Sequence, residues 1–491
     1  MTACRTDLQS NPSIGKFQSS VWGLILLLAT SLYLSGFAWS SGMSVVSDEG
    51  TAQPALQNNN GAEERPQVRN GVEKQESTSS VKAENEEANR ILLKKDEAIK
   101  RLEPALEEEA RLMRQVVQPL DREAAAKWIA QFISAPPLNC WLKQQQEWIE
   151  AILCAVERNQ IPICKEILAL TTSIISIESG FRADPLAIDP SRGEDMASLL
   201  KRAENDFCQK FSTLLSIPPV PTVYGSYKEK YYPKLLGCHT EGQIELVARN
   251  VAEDLKKDAA HLPEVVRKVI DKEIDKLTNV VRTKGSMQLN FTRARQVMKD
   301  RGEQFSEAEL SDYMYRMEGG VDVGVAALKP MFVQYAARYA VKDNLSWLFL
   351  VGMDYHYGPF SSRNMMEQIR IRDLSGRKIA IDGDFLHYDE KGRPEGRDSE
   401  TLRATMTFFP EQSRDWIFDS FLVEKDRHYI YTDLHKTISA RHRDRFGETP
   451  FAVVGELTMG KEAQIKHGVT WKTRSYLNKL DKYLNSVPWD R

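Results

Sequence analysis

Glu178 is the residue of this chain whose setting best suits acid chemistry. It ends an apolar run of Ile167, Leu168, Leu170, Ile174, Ile175 and Ile177 with the spacing of a buried helix, and Gly180 follows as a natural stop. A carboxylate at a helix C-terminus meets the negative end of the helix dipole, and apolar neighbours add a second penalty on its charge. Both oppose ionisation, and a carboxylic acid that keeps its proton can protonate a leaving oxygen such as that of a glycosidic bond. The plain alternative is a helix-end Glu paired with Arg182 or another cation.

Further along, Gly285-Ser286-Met287-Gln288 is a glycine-led turn carrying an amide, and Tyr355-His356 sets a phenol beside an imidazole ahead of Gly358-Pro359. Asp184, Asp189 and Asp322 are available as second carboxylates, but their surroundings read as surface or capping positions. His428, His435 and His442 recur every seven residues, wider than metal ligands usually lie, so they read as a packed or solvated row. Asp382-Gly383-Asp384 lacks the other ligands of a calcium loop and reads as a turn. With no Ser-His-Asp signature, Walker loop or dinucleotide fingerprint, neither a metal nor a cofactor is expected.

Taken in order, Glu178-Ser179-Gly180-Phe181, Gly285 to Gln288, Val323-Gly324 with Leu328, and Tyr355 with Gly358-Pro359 resemble four motifs of the lytic transglycosylases. Those lysozyme-like enzymes cut the peptidoglycan glycan strand. The resemblance implies that Glu178 is the single catalytic acid and base. Gln288, Tyr355, Met287, Ser179 and His356 would then line the substrate site, with Tyr355 near Glu178. A hydrolase of this broad class needs a second carboxylate, whereas a lytic transglycosylase does not, because the sugar's own 6-hydroxyl closes on C1. The sequence departs from the family in three places. His356 stands where the family has Asn, Ser286 where it has Leu, and residues 182–284 form a long insertion between the first two motifs.

The wider body also resembles an uncharacterised family of Gram-negative envelope lipoproteins of the YaiW type. The strings that carry this are Glu178 to Pro185, Gly285 to Phe291, Gly319-Gly320, Ser362-Arg363-Asn364, Ile381 to Asp384 and Tyr388-Asp389. The resemblance implies an envelope location and no reaction. No lipoprotein cleavage site follows Cys4.

The elements that must position these residues are mostly helical. Of 491 residues, 42% are hydrophobic and 27% charged, enough for a substantial core, and a formal charge of -3 gives no field that draws nucleic acid. Residues 1–20 form a cytoplasmic leader, and 21–40 a transmembrane anchor or a cleaved signal segment, with residues 21–38 uncharged. The anchor places the body in the periplasm on the inner membrane; cleavage would leave it free there. Residues 41–83 are too polar to bury a core and read as a disordered tether. Residues 84–120 read as a helical stalk interrupted by Pro104, which packs on its own domain or meets an envelope partner.

The globular body, 121–491, is expected to be mainly α with minor β (α+β), a lysozyme-like domain with the helical insertion 182–284. Helices are expected over 122–133, 142–158, 164–179 and 243–283, the last split at Pro263; the best strand is 378–381. In an exported body the five cysteines after Cys4 can form disulfides, with Cys208–Cys238 the best pair. The tail from Lys461 to Lys482 reads as a terminal helix with a solvated basic face, or as a contact for anionic wall polymer or phospholipid. Two functions remain open: glycan-strand cleavage, or a catalytically inactive glycan-binding or adaptor module of an envelope assembly or uptake system.

Overall fold

A computed structural model of the chain describes residues 73–135, 144–187, 195–198, 220–260, 283–338, 346–389, 392–455 and 473–487, with a few single positions between. The leader, the apolar segment 21–40 and the tether up to residue 72 lie outside the described residues, and no described helix is long and apolar enough to cross a membrane. The architecture is mainly α. Its helices are α1 Glu73–Leu102, α2 Leu106–Val116, α3 Arg122–Ser134, α4 Gln145–Arg158, α5 Lys165–Glu178, α6 Val220–Leu236, α7 Glu241–Ala259 and α8 Phe291–Asp300. There follow α9 Glu307–Met314, α10 Met317–Arg338, α11 Ser346–Tyr357, α12 Ser361–Ser375, α13 Glu400–Phe408, α14 Arg414–Phe421, α15 Asp433–Phe446 and α16 Thr473–Leu484. Among the described residues the strands are β1 Thr283–Lys284 and β2 Leu289–Asn290, an antiparallel pair with Thr283 opposite Asn290.

The expected single body is two compact units. The first takes residues 111–357 and the C-terminal helix α16; the second takes residues 358–455 together with α1 and the turn after it. At the centre of the first unit lies α10. Val321, Val323, Val325, Leu328, Met331, Phe332 and Tyr335 are all buried, so this helix is covered along most of its length. It crosses α4 and α11 and carries the buried Asp322.

In the second unit the helix expected over 84–120 packs on its own domain, one of its two expected settings. Ile91 and Ala98 of α1, seven residues apart on one stripe, enter a core with Ile371, Leu402, Phe421 and Leu434. Lys94 pairs with Asp419 at 3.0 Å and His428 Nε2 with Glu103 at 3.1 Å, so the helix is part of a packed unit rather than a free-standing rod. It also begins at Glu73, so it takes in the last eleven residues of the segment expected as tether. Pro104 sits in the one-turn 3-10 helix Glu103–Ala105 that joins α1 to α2, where its missing N–H costs nothing.

Two other expectations change, and a third falls mostly outside the described residues. Residues 378–381 form no strand: Ile379 is buried in the core, but the Ala380 amide bonds to Glu400 Oε2 at 3.2 Å, with no neighbouring strand to pair with. The 243–283 helix is described only as α7, and most of 261–282 lies outside the described residues. Cys238 is a free, buried thiol whose Sγ reaches the Lys234 carbonyl at 3.3 Å, so the expected bridge to Cys208, itself outside the described residues, is not formed. Helix α16 buries Tyr476, Leu480 and Leu484 at four-residue steps, which fixes it as a packed terminal helix.

Candidate functional site

Helix α5 is buried continuously from Ile167 to Ile175 and becomes partly open only in its last turn, where Glu178 retains 14% side-chain exposure. Ser179 closes the helix: its amide bonds to the Ile175 carbonyl at 3.1 Å and its hydroxyl donates to the same oxygen at 3.0 Å. Gly180 then takes a left-handed turn, φ +60°, which glycine adopts without a Cβ penalty. Phe181 follows at φ +59°, uncommon for a residue with a side chain, and its ring is held edge-on against Trp148 at 5.5 Å. The expected stop is therefore where the sequence put it.

The loop leaving Glu178 is fastened to the insertion. Asp184 accepts from the Thr240 hydroxyl at 2.6 Å and from the Gly242 amide at 2.9 Å, and the Glu241 amide bonds to the Pro185 carbonyl at 3.0 Å. Asp184 thus serves the N-terminus of α7, where Thr240 and Gln243 also form a capping box. Burial pushes the Asp184 carboxyl up, and the Thr240 and Gly242 hydrogen bonds hold it down.

The same end of α7 holds the glycine-led turn. Gln288 Nε2 donates to Glu241 Oε2 at 2.9 Å, and Gln288 Oε1 accepts from Thr283 Oγ1 at 3.0 Å. One turn on, the buried Glu245 pairs with the buried Lys284 of β1, accepts from Ser311, and accepts from the Tyr315 hydroxyl at 3.1 Å. Burial lowers the Lys284 ammonium, and Glu245 opposes that shift. Met287 is wholly buried against α10 at Gly324, where an added Cβ would collide with its sulfur.

Helix α11 brings the phenol and imidazole to the acid. His356 Nδ1 lies 3.2 Å from Glu178 Oε1, with only 13% of its side chain exposed. Its ring stacks on Tyr476 of α16 at 4.4 Å and 17°, and meets Tyr357 edge-on at 4.9 Å. The Tyr355 hydroxyl donates to the Met287 carbonyl at 3.1 Å. Burial pushes the Tyr355 phenol up, Arg293 opposes this, and the Glu178 charge adds to it. Arg293, itself drawn down to about 10 by burial, sits 5.9 Å from the Tyr355 ring and donates to the Ala327 carbonyl at 2.8 Å. Burial likewise raises the Tyr476 phenol, with Glu178, Tyr355 and Tyr357 adding to the effect.

Glu178, His356 and Tyr355 therefore share one locality, with the Met287 turn bonded to it through Tyr355. Ser179 and Met287 are buried, and Gln288 spends its amide on α7. Of the second carboxylates, Asp184 is committed to α7 and Asp189 lies outside the described residues. Asp322 is neither surface nor cap. It is buried and takes both guanidinium nitrogens of Arg301 at 2.9 and 2.8 Å, the Tyr313 hydroxyl at 2.9 Å and Asn159 Nδ2 at 3.0 Å. The three histidines of the second unit each face a carboxylate: His428 faces Asp426, His435 faces Glu367 at 3.0 Å and His442 faces Asp373 at 3.4 Å. Among the described residues no group of His, Cys, Asp and Glu could hold a metal ion.

Sequence reasoning missed Glu241, Glu245 and Tyr476 as parts of this site. Thr240-Glu241-Gly242-Gln243 is a readable capping signature, but nothing in it names Asp184 or Gln288 as partners.

A family model described as "Protein of unknown function (DUF1615)" matches residues 141–473, more than half of the chain. The chain belongs to the DUF1615 family. Within the family region lie Glu178, the 285–288 turn and His356, whereas Tyr476 falls just beyond it. No curated protein and no solved structure matches the chain.

Proposed function

We propose that the first unit of this DUF1615 protein is a lysozyme-like domain that cleaves the peptidoglycan glycan strand, with Glu178 as the single acid and base. One observation carries the reading. Residues from separate motifs, Glu178, the turn at Met287, and Tyr355 with His356, meet at one partly open carboxylate although they are scattered over the chain. Glu178 as the acid gives its proton to the glycosidic oxygen as the C1–O bond breaks. Its carboxylate then takes the proton of the 6-hydroxyl as that oxygen bonds to C1, which restores the acid and consumes no water. The commitments of Asp184 and Asp322 to helix end and core favour this route over hydrolysis, which needs a second free carboxylate. In this reading the anchor at 21–38 holds the domain at the inner membrane, facing the periplasm and its murein.

A second reading rests on the saturation of the motif side chains. Gln288 bonds to Glu241 and Thr283, and the Tyr355 hydroxyl bonds to backbone, so neither presents its polar group to a sugar. A glycan-binding or adaptor module without catalysis fits that arrangement. The test is incubation of the protein with cell-wall sacculi and mass spectrometry for anhydro-muropeptides, alongside Glu178→Gln. Anhydro products from the native chain alone support cleavage. Binding without products supports the adaptor, and products from both proteins remove Glu178 from the chemistry.

A further inference from the structure

Helix α8 and its C-cap carry Arg293, Arg295 and Arg301, and two of the three are paired: Arg295 with Glu307, and Arg301 with Asp322 at 2.8 Å. Arg293 makes no ion pair among the described residues. Its Nη2 donates to the Ala327 carbonyl at 2.8 Å and lies 3.7 Å from Met331 Sδ, while Nε and Nη1 make no hydrogen bond there. The residue is partly open, yet burial draws its guanidinium down to about 10, which still leaves it charged at neutral pH. Asp354 favours that charge without pairing with it, and its own carboxylate accepts from the Tyr335 hydroxyl at 2.6 Å. A cation drawn from water with no counter-ion is unfavourable, and a carboxylate brought to it offsets that cost.

Tyr355 links this cation to the candidate acid. Its ring lies 5.9 Å from the Arg293 guanidinium, and its phenol responds to the charges of both Arg293 and Glu178, so both lie within electrostatic reach of one hydroxyl. A murein strand is acidic only at its muramic acid units. Each has a lactyl carboxyl, either free or joined to a stem peptide with carboxylates of its own, whereas N-acetylglucosamine has none.

We propose that Arg293 is a specificity-determining residue that binds a carboxylate of a muramic acid unit and so selects murein over a neutral N-acetylglucosamine polymer. The proposal deepens the glycan reading of the first unit and rests on it, whether that unit cleaves the strand or only binds it. The bond from Nη2 to Ala327 holds the head in place, and Nε and Nη1 remain as charge-assisted donors for the incoming carboxylate.

The test is equilibrium binding by the full-length chain carrying Glu178→Gln, so that a bound strand is not cut. Three probes are compared: chitotetraose, a murein tetrasaccharide stripped of peptide, and the same tetrasaccharide with its stem peptides. At least one murein probe should bind about tenfold or more tighter than chitotetraose. Tighter binding of the stripped probe assigns the lactyl carboxylate, and tighter binding of the peptide-bearing probe assigns the stem peptide. Arg293→Gln should bring the preference close to unity, and Arg293→Lys should keep part of it, since the charge remains and the planar fork does not. A merely structural role for Arg293 would weaken all three probes alike. Equal affinities for chitotetraose and both murein probes, or a preference that survives Arg293→Gln, overturns the proposal; the first comparison needs no change at residue 293 and stands even if those variants do not fold. Binding of none of the three probes overturns the glycan reading itself, and the proposal with it.

Discussion

The Tyr355 hydroxyl donates to the Met287 carbonyl at 3.1 Å, a bond between residues 68 positions apart that ties α11 to the glycine-led turn. Both groups are buried, so Tyr355→Phe leaves a carbonyl without its donor and should cost about 1–3 kcal/mol. The phenyl ring preserves the packing. We expect a lowered denaturation midpoint with an unchanged m-value, and a drop in sacculus cleavage smaller than that of Glu178→Gln. An equal loss of cleavage in a fully stable Phe variant would instead place the hydroxyl in the chemistry.

Gly324 sets the depth at which the same turn sits. Because a Cβ there would meet the Met287 side chain, Gly324→Ala should overpack the contact by about 1–3 kcal/mol despite the helix-favouring change. Met287→Ala in the same chain should restore part of that loss by clearing the space. Thermal midpoints of the two single variants and the double variant measure the coupling, and strict additivity would show that the two residues do not share this space.

These two contacts show what the sequence could and could not reveal. The run from Ile167 to Glu178 with Gly180 behind it was legible because helix period and helix stop are local properties. So was the place of Pro104 between two helices. The ties from Asp184 to Thr240 and from Gln288 to Glu241 were not, since their partners lie 56 and 47 residues apart and no local pattern selects them. The helix at 84–120 was legible in part for the same reason: α1 has the right stripe, but the core that covers it comes from residues beyond 370. A strand at 378–381 failed because alternation describes one chain, whereas a ladder needs two.

Asp322 offers a test of the first unit's core that is independent of any activity. Arg301→Met leaves this buried carboxylate with Asn159, Tyr313 and, at 3.6 Å, the half-exposed Arg158. Breaking one side of a buried pair costs about 3–5 kcal/mol, and the remaining donors should hold the loss near the lower end. Arg301→Met combined with Asp322→Leu should recover most of it. Chemical denaturation of the three variants checks this, and a double variant no better than Arg301→Met would mean that Asp322 is stabilised by its neutral neighbours instead.

Glu367 and Glu424, both buried in the second unit, have opposite pH signatures. Burial opposes ionisation of Glu367, yet His435 at 3.0 Å and Arg370 at 2.8 Å hold its carboxyl down from 4.5 to about 2. A carboxyl depressed in the folded state stabilises above its unfolded value of 4.5, and that contribution, about 3 kcal/mol, is lost as pH falls towards about 2. Glu424 is the reverse. Burial and the Asp384 charge push it well above the usual carboxylate range, against Lys425 and Tyr388, so it favours the fold at low pH and that favour is lost as pH rises through its folded value. Amide exchange over residues 358–455 should therefore slow as pH climbs from 2 to 4.5 by more than its intrinsic pH dependence predicts. Glu367→Gln should flatten that rise, and Glu424→Gln should flatten the decline between about pH 4.5 and 8. If Glu367→Gln left the acid-side slope intact, another carboxylate would have to be its source.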